Sequence, residues 1–109
     1  MQHKITLPQL KKYDITQKVI MALADAESRV ILFSIIRKGK TASDLSESLK
    51  IPLSSVYKKL SDLENLTLVR VEKTILSEKG RRFKIYRSRI NKAEISIKKP
   101  EPTLSLSAN

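Results

Sequence analysis

The chain has 109 residues, with 22 Lys and Arg against 11 Asp and Glu, a formal net charge of +11 and 40% hydrophobic residues. That is one small domain's worth of chain, with too much apolar content for a wholly disordered polymer. The absence of cysteine excludes disulfides, thiolate metal sites and thiol redox sensing, and no apolar run approaches the ~20 residues that span a bilayer.

Residues 1–13 are mixed in character, contain Pro8 and are expected to form a flexible arm in which His3 has no role. They hold no signal-peptide core, so a cytoplasmic protein is expected. Asp14 is placed to cap a helix from Ile15, with Gln17 as reciprocal partner. Val19, Ile20, Leu23 and Ala24 recur there at helical spacing. Asp25 is placed to cap the next helix, over about Ala26 to Lys38. That helix is apolar nearly all round (Val30, Ile31, Leu32, Phe33, Ile35, Ile36) and therefore central. Arg37 and Lys38 suit its last turn and Gly39 its C′ position.

Thr41 starts a third helix, with Asp44 in its first turn and Ala42, Leu45 and Leu49 on its inner face. Ser46 and Ser48 are small enough to let a neighbouring helix approach. Pro52 stops this helix and holds Ile51 extended. Ser54 is placed to cap a fourth helix, whose Val56, Leu60 and Leu63 fall at i, i+4 and i+7. From Leu68 the period changes. Val69, Val71 and Ile75 alternate with polar residues, Ser77-Glu78-Lys79-Gly80 signals a turn, and Phe83 and Ile85 alternate again, giving an antiparallel hairpin. Asn91-Lys92 reads as another turn, with room for a short third strand at Ile95 and Ile97. Residues 99–109, KPEPTLSLSAN, have the composition of a disordered tail.

The charge is not spread evenly. Between Leu68 and Lys92 nine basic residues stand against Glu72 and Glu78, so +7 of the +11 lies on the hairpin. A net charge of +11 suits a polyanion, either DNA, RNA or an anionic membrane surface, and its clustering on a hairpin favours nucleic acid, with no membrane partner expected. The layout is helix, turn, helix, basic hairpin: an α+β, mostly helical chain with a winged helix-turn-helix over 14–98.

The residues resemble the arsenic-repressor-like (ArsR-type) winged helix-turn-helix family of archaeal and bacterial transcription regulators. Arg29 to Gly39 is similar to that family's first core helix, and Leu23-Ala24-Asp25 to the loop before it. Thr41 to Leu49 is similar to the supporting helix, Pro52 to Leu60 to the start of the recognition helix, and Gly80-Arg81-Arg82 to the wing turn. Lys50 and Thr67 stand where the family usually has Gly, so a left-handed backbone is less comfortable there. The Cys and His of metal-sensing members are absent, so no metal and no cofactor is expected.

The resemblance implies a sequence-specific regulator that binds double-stranded DNA. The helix over 54–65 would enter a major groove about 12 Å wide, presenting Ser54, Ser55, Tyr57 and Lys58, with Lys59 on phosphate. The wing over 68–90 would lay Arg70, Lys79, Arg81, Arg82 and Lys84 on the backbone or into a minor groove. Thr41 and Ser43 would donate to phosphate from a helix N-terminus. Arg29 is expected to pair with an acidic neighbour within the fold. Family members are usually dimers, and Ile15, Val19, Ile20 and Leu23 are the candidate homodimer contacts. Two other readings stay open: a protein-interaction winged helix of a transcription or chromosome-maintenance assembly, and an RNA-binding winged helix. Catalysis is not expected, because the one histidine is terminal and there is no Gly-rich phosphate loop.

Overall fold

The hydrophobic residues at helical spacing gather around the helix Ala26–Ser34 in the computed structural model, which describes the backbone over 7–109 and side chains from residue 15. His3, residues 1–6 of the expected arm and the Asp14 side chain lie outside the described residues. Four helices come first: α1 (Leu7–Ala24), α2 (Ala26–Ser34), α3 (Ala42–Leu49) and α4 (Leu53–Asn65). Two antiparallel hairpins follow, β1 (Val69–Leu76) with β2 (Arg82–Ser88), and β3 (Ile90–Ser96) with β4 (Thr103–Ala108). The α+β class expected from the sequence is the one observed. Ile31, Leu32, Ile35, Leu45, Val56 and Leu60 are fully buried, and Leu63, Leu68 and Val69 nearly so. Each such aliphatic side chain contributes about 1.5–3 kcal/mol by leaving water. No helix among the described residues is long and apolar enough to cross a membrane.

Helix starts follow the sequence at two places of four. Asp25 caps α2, accepting from the Ser28 N–H at 3.0 Å and the Ser28 hydroxyl at 2.7 Å. Thr41 caps α3 through the Asp44 N–H at 3.1 Å. The other two starts differ from expectation. Helix α1 begins at Leu7 and runs through position 14, so residues 7–13 are not an arm and Asp14 is no cap. Pro8 falls in the first turn of α1, where its missing N–H breaks no helical bond. In α4 the N-cap is Pro52, without a side-chain cap bond, and Ser54 lies inside the first turn.

Helix α2 stops at Ser34, four residues before Lys38, so Arg37 and Lys38 are not in a last turn and Gly39 is not its C′ residue. The Ser34 hydroxyl donates to the Val30 carbonyl at 2.6 Å, a bond that competes with helix propagation. The next carbonyls serve the rest of the molecule instead. Ile35 O accepts from Ser88 N at 3.0 Å, and Ile36 O accepts from Arg87 Nε and Asn109 Nδ2, each at 2.9 Å. Central α2 is also less enclosed than its composition suggests, since Val30 and Phe33 are exposed. Arg29 finds carbonyls, not an acid: it donates to Leu23 O at 2.8 Å and Ala24 O at 3.0 Å, closing the end of α1.

Gly39 matters for a different reason. A Cβ there would lie 2.6 Å from Ile85 Cγ2, 2.9 Å from Glu72 Oε2 and 3.2 Å from the Tyr86 carbonyl oxygen. Only glycine lets the chain pass that close to the hairpin. The neighbouring Lys40 then pairs with Tyr86, N to O at 3.1 Å and O to N at 2.9 Å.

Lys50 (φ 59°) and Thr67 (φ 61°) are both left-handed even without glycine. The strain of roughly 1–2 kcal/mol per residue is held by local bonds. Ile51 N donates to Ser46 O at 3.2 Å and the Ser46 hydroxyl to Ile51 O at 2.5 Å. Thr67 N donates to Glu64 O, and Leu68 N to Leu63 O, both at 2.9 Å.

The C-terminal stretch departs most from expectation. Asn91-Lys92 is no turn but part of β3, and the residues read as a disordered tail form β4, which pairs with it from Ile90↔Ala108 to Ser96↔Thr103. The pairing is anchored at its inner end. Asn109 N donates to Arg89 O at 2.8 Å, and Asn109 Nδ2 to Ser88 O at 2.9 Å as well as to Ile36 O. Leu104 and Ala93 pack against the core. The fold therefore extends past residue 98.

One ion pair ties the helices together. Lys59 Nζ of α4 lies 2.7 Å from Asp25 Oδ2 and 3.7 Å from Glu27 Oε1. The Lys59 ammonium, followed by the Ser28 hydroxyl and amide, holds the Asp25 carboxyl well below the usual aspartate range, at about 2. Asp25 in turn raises Lys59, with burial working against the rise.

Gly39→Ala is expected to lower stability by about 1–3 kcal/mol through overpacking, and Thr67→Gly to raise it by up to about 1 kcal/mol by relieving the left-handed strain. Urea denaturation measures both, and reversed signs would refute the two assignments. Asp25 is depressed in the fold, so its contribution is complete above its ordinary, unfolded value. It is lost as pH falls through about 2. Thermal melts should therefore show a slope in the acid range that Asp25→Asn flattens; an unchanged slope in that variant would rule the pair out as its source.

Candidate nucleic-acid interface

The exposed face of α4 carries Ser54, Tyr57, Lys58 and Ser61, spaced i, i+3, i+4 and i+7. The opposite face is Val56, Leu60 and Leu63, all buried, so packing fixes which side chains look outward. The short link at 50–52 sets α3 against α4, with the left-handed Lys50 making the reversal and Ser46 clamping it. This brings the N-terminus of α3 beside the first turns of α4.

The wing reaches the same place from the other side. On β2, Arg82, Lys84, Tyr86 and Ser88 alternate onto one face of the pleat. Tyr86 and Ser88 are buried. Arg82 and Lys84 continue that face outward and are exposed. The result is a concavity of about 250 Å³ in which Thr41, Ser43, Tyr57, Arg82 and Lys84 converge, with Tyr86 among its lining residues. Burial, and then the negative charge of Glu64 and the Tyr57 hydroxyl, raise the Tyr86 phenol, which stays neutral at ordinary pH.

The chemistry of this concavity is that of an anion site. Two cations stand on one wall. On the other is the start of α3, Thr41 to Ser43, and a helix start carries partial positive charge. Thr41 uses an oxygen lone pair for its cap, and its hydroxyl hydrogen is a further donor. Tyr57 is half exposed and offers a phenol between the walls.

At the wing tip a tight turn is closed by Gly80 N to Ser77 O at 2.9 Å, Ser77 N to Arg81 O at 2.8 Å and Arg81 N to the Ser77 hydroxyl at 3.0 Å. Gly80 takes φ 79° with open space around it. The turn exposes Lys79 and Arg81. Arg70 is exposed at the wing root, opposite Arg87 in register and away from the concavity.

Not all the sequence candidates come together. Ser55, Lys58 and Lys59 line a second hollow, of about 810 Å³, between α4 and α1, whose far wall includes Ile15 and Met21. Lys59 is held there by Asp25, so it serves the fold in place of the phosphate contact expected of it. Lys58 is exposed and has no acidic partner among the described residues. Of the four candidate dimer contacts, Val19 and Leu23 belong to the core, which removes them from any surface; Ile15 is exposed and Ile20 partly so.

The place of Tyr86 in this site, and its backbone pair with Lys40, have no counterpart among the sequence candidates. Their contact is a single residue pair between distant segments, too short to leave a periodic signal. Arg87, one of the nine basic residues of the hairpin, is also committed internally, to Ile36 O and to Glu72 Oε2 at 3.2 Å.

A comparison with curated proteins finds no match. Among solved structures, the chain is similar to that of NolR from Sinorhizobium fredii, with a TM-score of 0.61 and 18% identity over 80% of this chain and 81% of that one. At that identity the likeness establishes the winged-helix fold. Of the resemblance to arsenic-repressor-type regulators, the winged-helix fold is what this likeness supports; membership of that subfamily is not shown. A family described as "Sugar-specific transcriptional regulator TrmB" matches residues 10–92, most of the chain. The chain belongs to the TrmB family of transcriptional regulators.

Proposed function

We propose that this protein is a sequence-specific, double-stranded-DNA-binding transcriptional regulator, with α4 in the major groove and the wing on the backbone or minor groove. The observation that carries this reading is the convergence of Thr41, Ser43, Tyr57, Arg82 and Lys84 on one concavity beside the exposed face of α4. A phosphate seated there meets cations, hydroxyls and helix-start amides together, and a phosphate at that point would align the duplex with the outward face of α4. Ser54, Tyr57 and Lys58 are then the base-edge contacts, with Lys58 suited to guanine acceptors. Lys79, Arg81, Arg82 and Lys84 supply the attraction, helped by Arg70 at the wing root.

With about six phosphate contacts, log affinity should fall against log salt with a slope of about −5. Arg82→Ala should reduce that slope by about 1 without changing base preference. Lys58→Ala should relax discrimination by about 1–3 kcal/mol at one position. Lys59→Ala should lower the melting temperature and leave the salt slope as it is. Fluorescence anisotropy on a selected duplex measures the slopes and the discrimination, and a thermal melt of the free protein measures the Lys59→Ala loss. A slope near zero, or structured RNA of equal length outcompeting the duplex, would reject the proposal.

A further inference from the structure

The second hairpin is a two-stranded sheet with no third strand on either edge among the described residues. Sheets of that size are marginal in water unless something covers or extends them. Here one face carries Ala93, Ile95, Leu104 and Leu106, matched in register as Ala93↔Leu106 and Ile95↔Leu104. Leu106 is 41% exposed, Ile95 42% and Ile97, beyond them, 74%.

The two edges differ in kind. Proteins guard exposed edges with charge, above all lysine, or with proline inside the strand. Strand β3 carries the pair Lys92–Glu94, bridged at 2.7 Å. The β1–β2 hairpin carries Arg70, Lys73, Arg82, Lys84 and Arg87. Strand β4 carries none. Residues 102–109, PTLSLSAN, are the longest stretch without a charge in a chain that is 30% charged. An open, uncharged edge of alternating apolar and hydroxyl residues is a template for another strand.

The order of residues on β4 says which strand. Thr103-Leu104-Ser105-Leu106-Ser107 reads alike in both directions about Ser105. We propose that β4 is a self-pairing edge, on which a second copy of this chain docks antiparallel about a two-fold axis at Ser105. Ser105 then faces Ser105 of the other copy, Leu104 faces Leu106, and Thr103 faces Ser107. Hydroxyl meets hydroxyl and leucine meets leucine, the self-complementarity that a two-fold interface requires. Both leucines stay on one face, so the sheet becomes four-stranded with a continuous apolar stripe. A chain of net charge +11 repels its own copies over most of its surface, and β4 is where two copies meet with no like charges opposed. The charged outer strands β3 end the sheet, so the assembly closes at two. This pairing does not depend on the DNA-binding reading.

Sedimentation of the full chain without DNA, at about 100 µM to suit a small interface, should give twice the 12.4 kDa chain mass. Ser105 is exposed and sits opposite Glu94 in register, so Ser105→Lys should fold normally, yet sediment as a monomer. Mixing Ser105→Lys with Ser105→Glu should restore the dimer. In a chain without other cysteines, Ser105→Cys should form an intermolecular disulfide under mild oxidation, because directly opposed antiparallel residues lie within disulfide reach. Ser107→Cys, which faces Thr103, should not. A monomeric wild type at this concentration overturns the proposal. So does a dimer that withstands Ser105→Lys while Ser105→Cys fails to cross-link.

Discussion

Where the wing stands relative to the helices is decided at one crowded point, the contact of Gly39 and Lys40 with Ile85 and Tyr86. The backbone pair Lys40–Tyr86 contributes only two hydrogen bonds. Its effect is geometric. With Tyr86 buried against the helices and Ser88 bonded to the end of α2, the pleat of β2 has a fixed phase. Arg82 and Lys84 must then lie over the start of α3 and not over solvent. A side chain at position 39 would push the sheet away at its hinge, and the displacement would grow toward the wing tip. The absence of a Cβ at position 39 leaves room for this contact.

Two sets of cations differ in what lies within their reach. Arg29, Lys59 and Arg87 are spent on the fold, closing α1, tying α4 to the cap of α2, and joining the wing to the end of α2. Arg70, Lys79, Arg81, Arg82, Lys84 and Lys58 are exposed. Formal charge counts both sets alike. Carboxylates offset the charge of Lys59 and Arg87, whereas the second set keeps its charge open to a polyanion.

Local chemistry was legible in the sequence where it acts within a few residues. Asp25 and Thr41 cap the helices they precede, and Lys50 and Thr67 take left-handed turns that the glycine comparison marked. The helix–turn–helix and basic hairpin followed from apolar period alone. What was not legible depends on distant partners. Helix α2 ends early because Ile35 and Ile36 offer their carbonyls to residues over 50 positions away. Lys59 looks like any surface lysine until α2 places Asp25 beside it. Residues 99–109 have the composition of a linker, yet Asn109 bonds three carbonyls of the folded core, of Ile36, Ser88 and Arg89, and β4 pairs from there outward. Alternation of Leu104 and Leu106 with serines was the available signal for β4. It was outweighed by two prolines that belong to the turn before it.

These divisions bear on how affinity and selectivity separate in such a small molecule. Helix α4 holds Lys58 and Lys59 against Asp62 and Glu64, so it has no net charge, and Lys59 is already occupied. On the proposed reading, α4 then reads base edges without attracting every polyanion it meets. The wing attracts without reading. Separate elements would normally leave the two functions uncoupled. Here they share Tyr86, buried beneath the wing and lining the same concavity as Tyr57 of α4. On that same reading, wing contacts to phosphate would hold α4 at one angle to the duplex, and general electrostatic attraction would become a constraint on register.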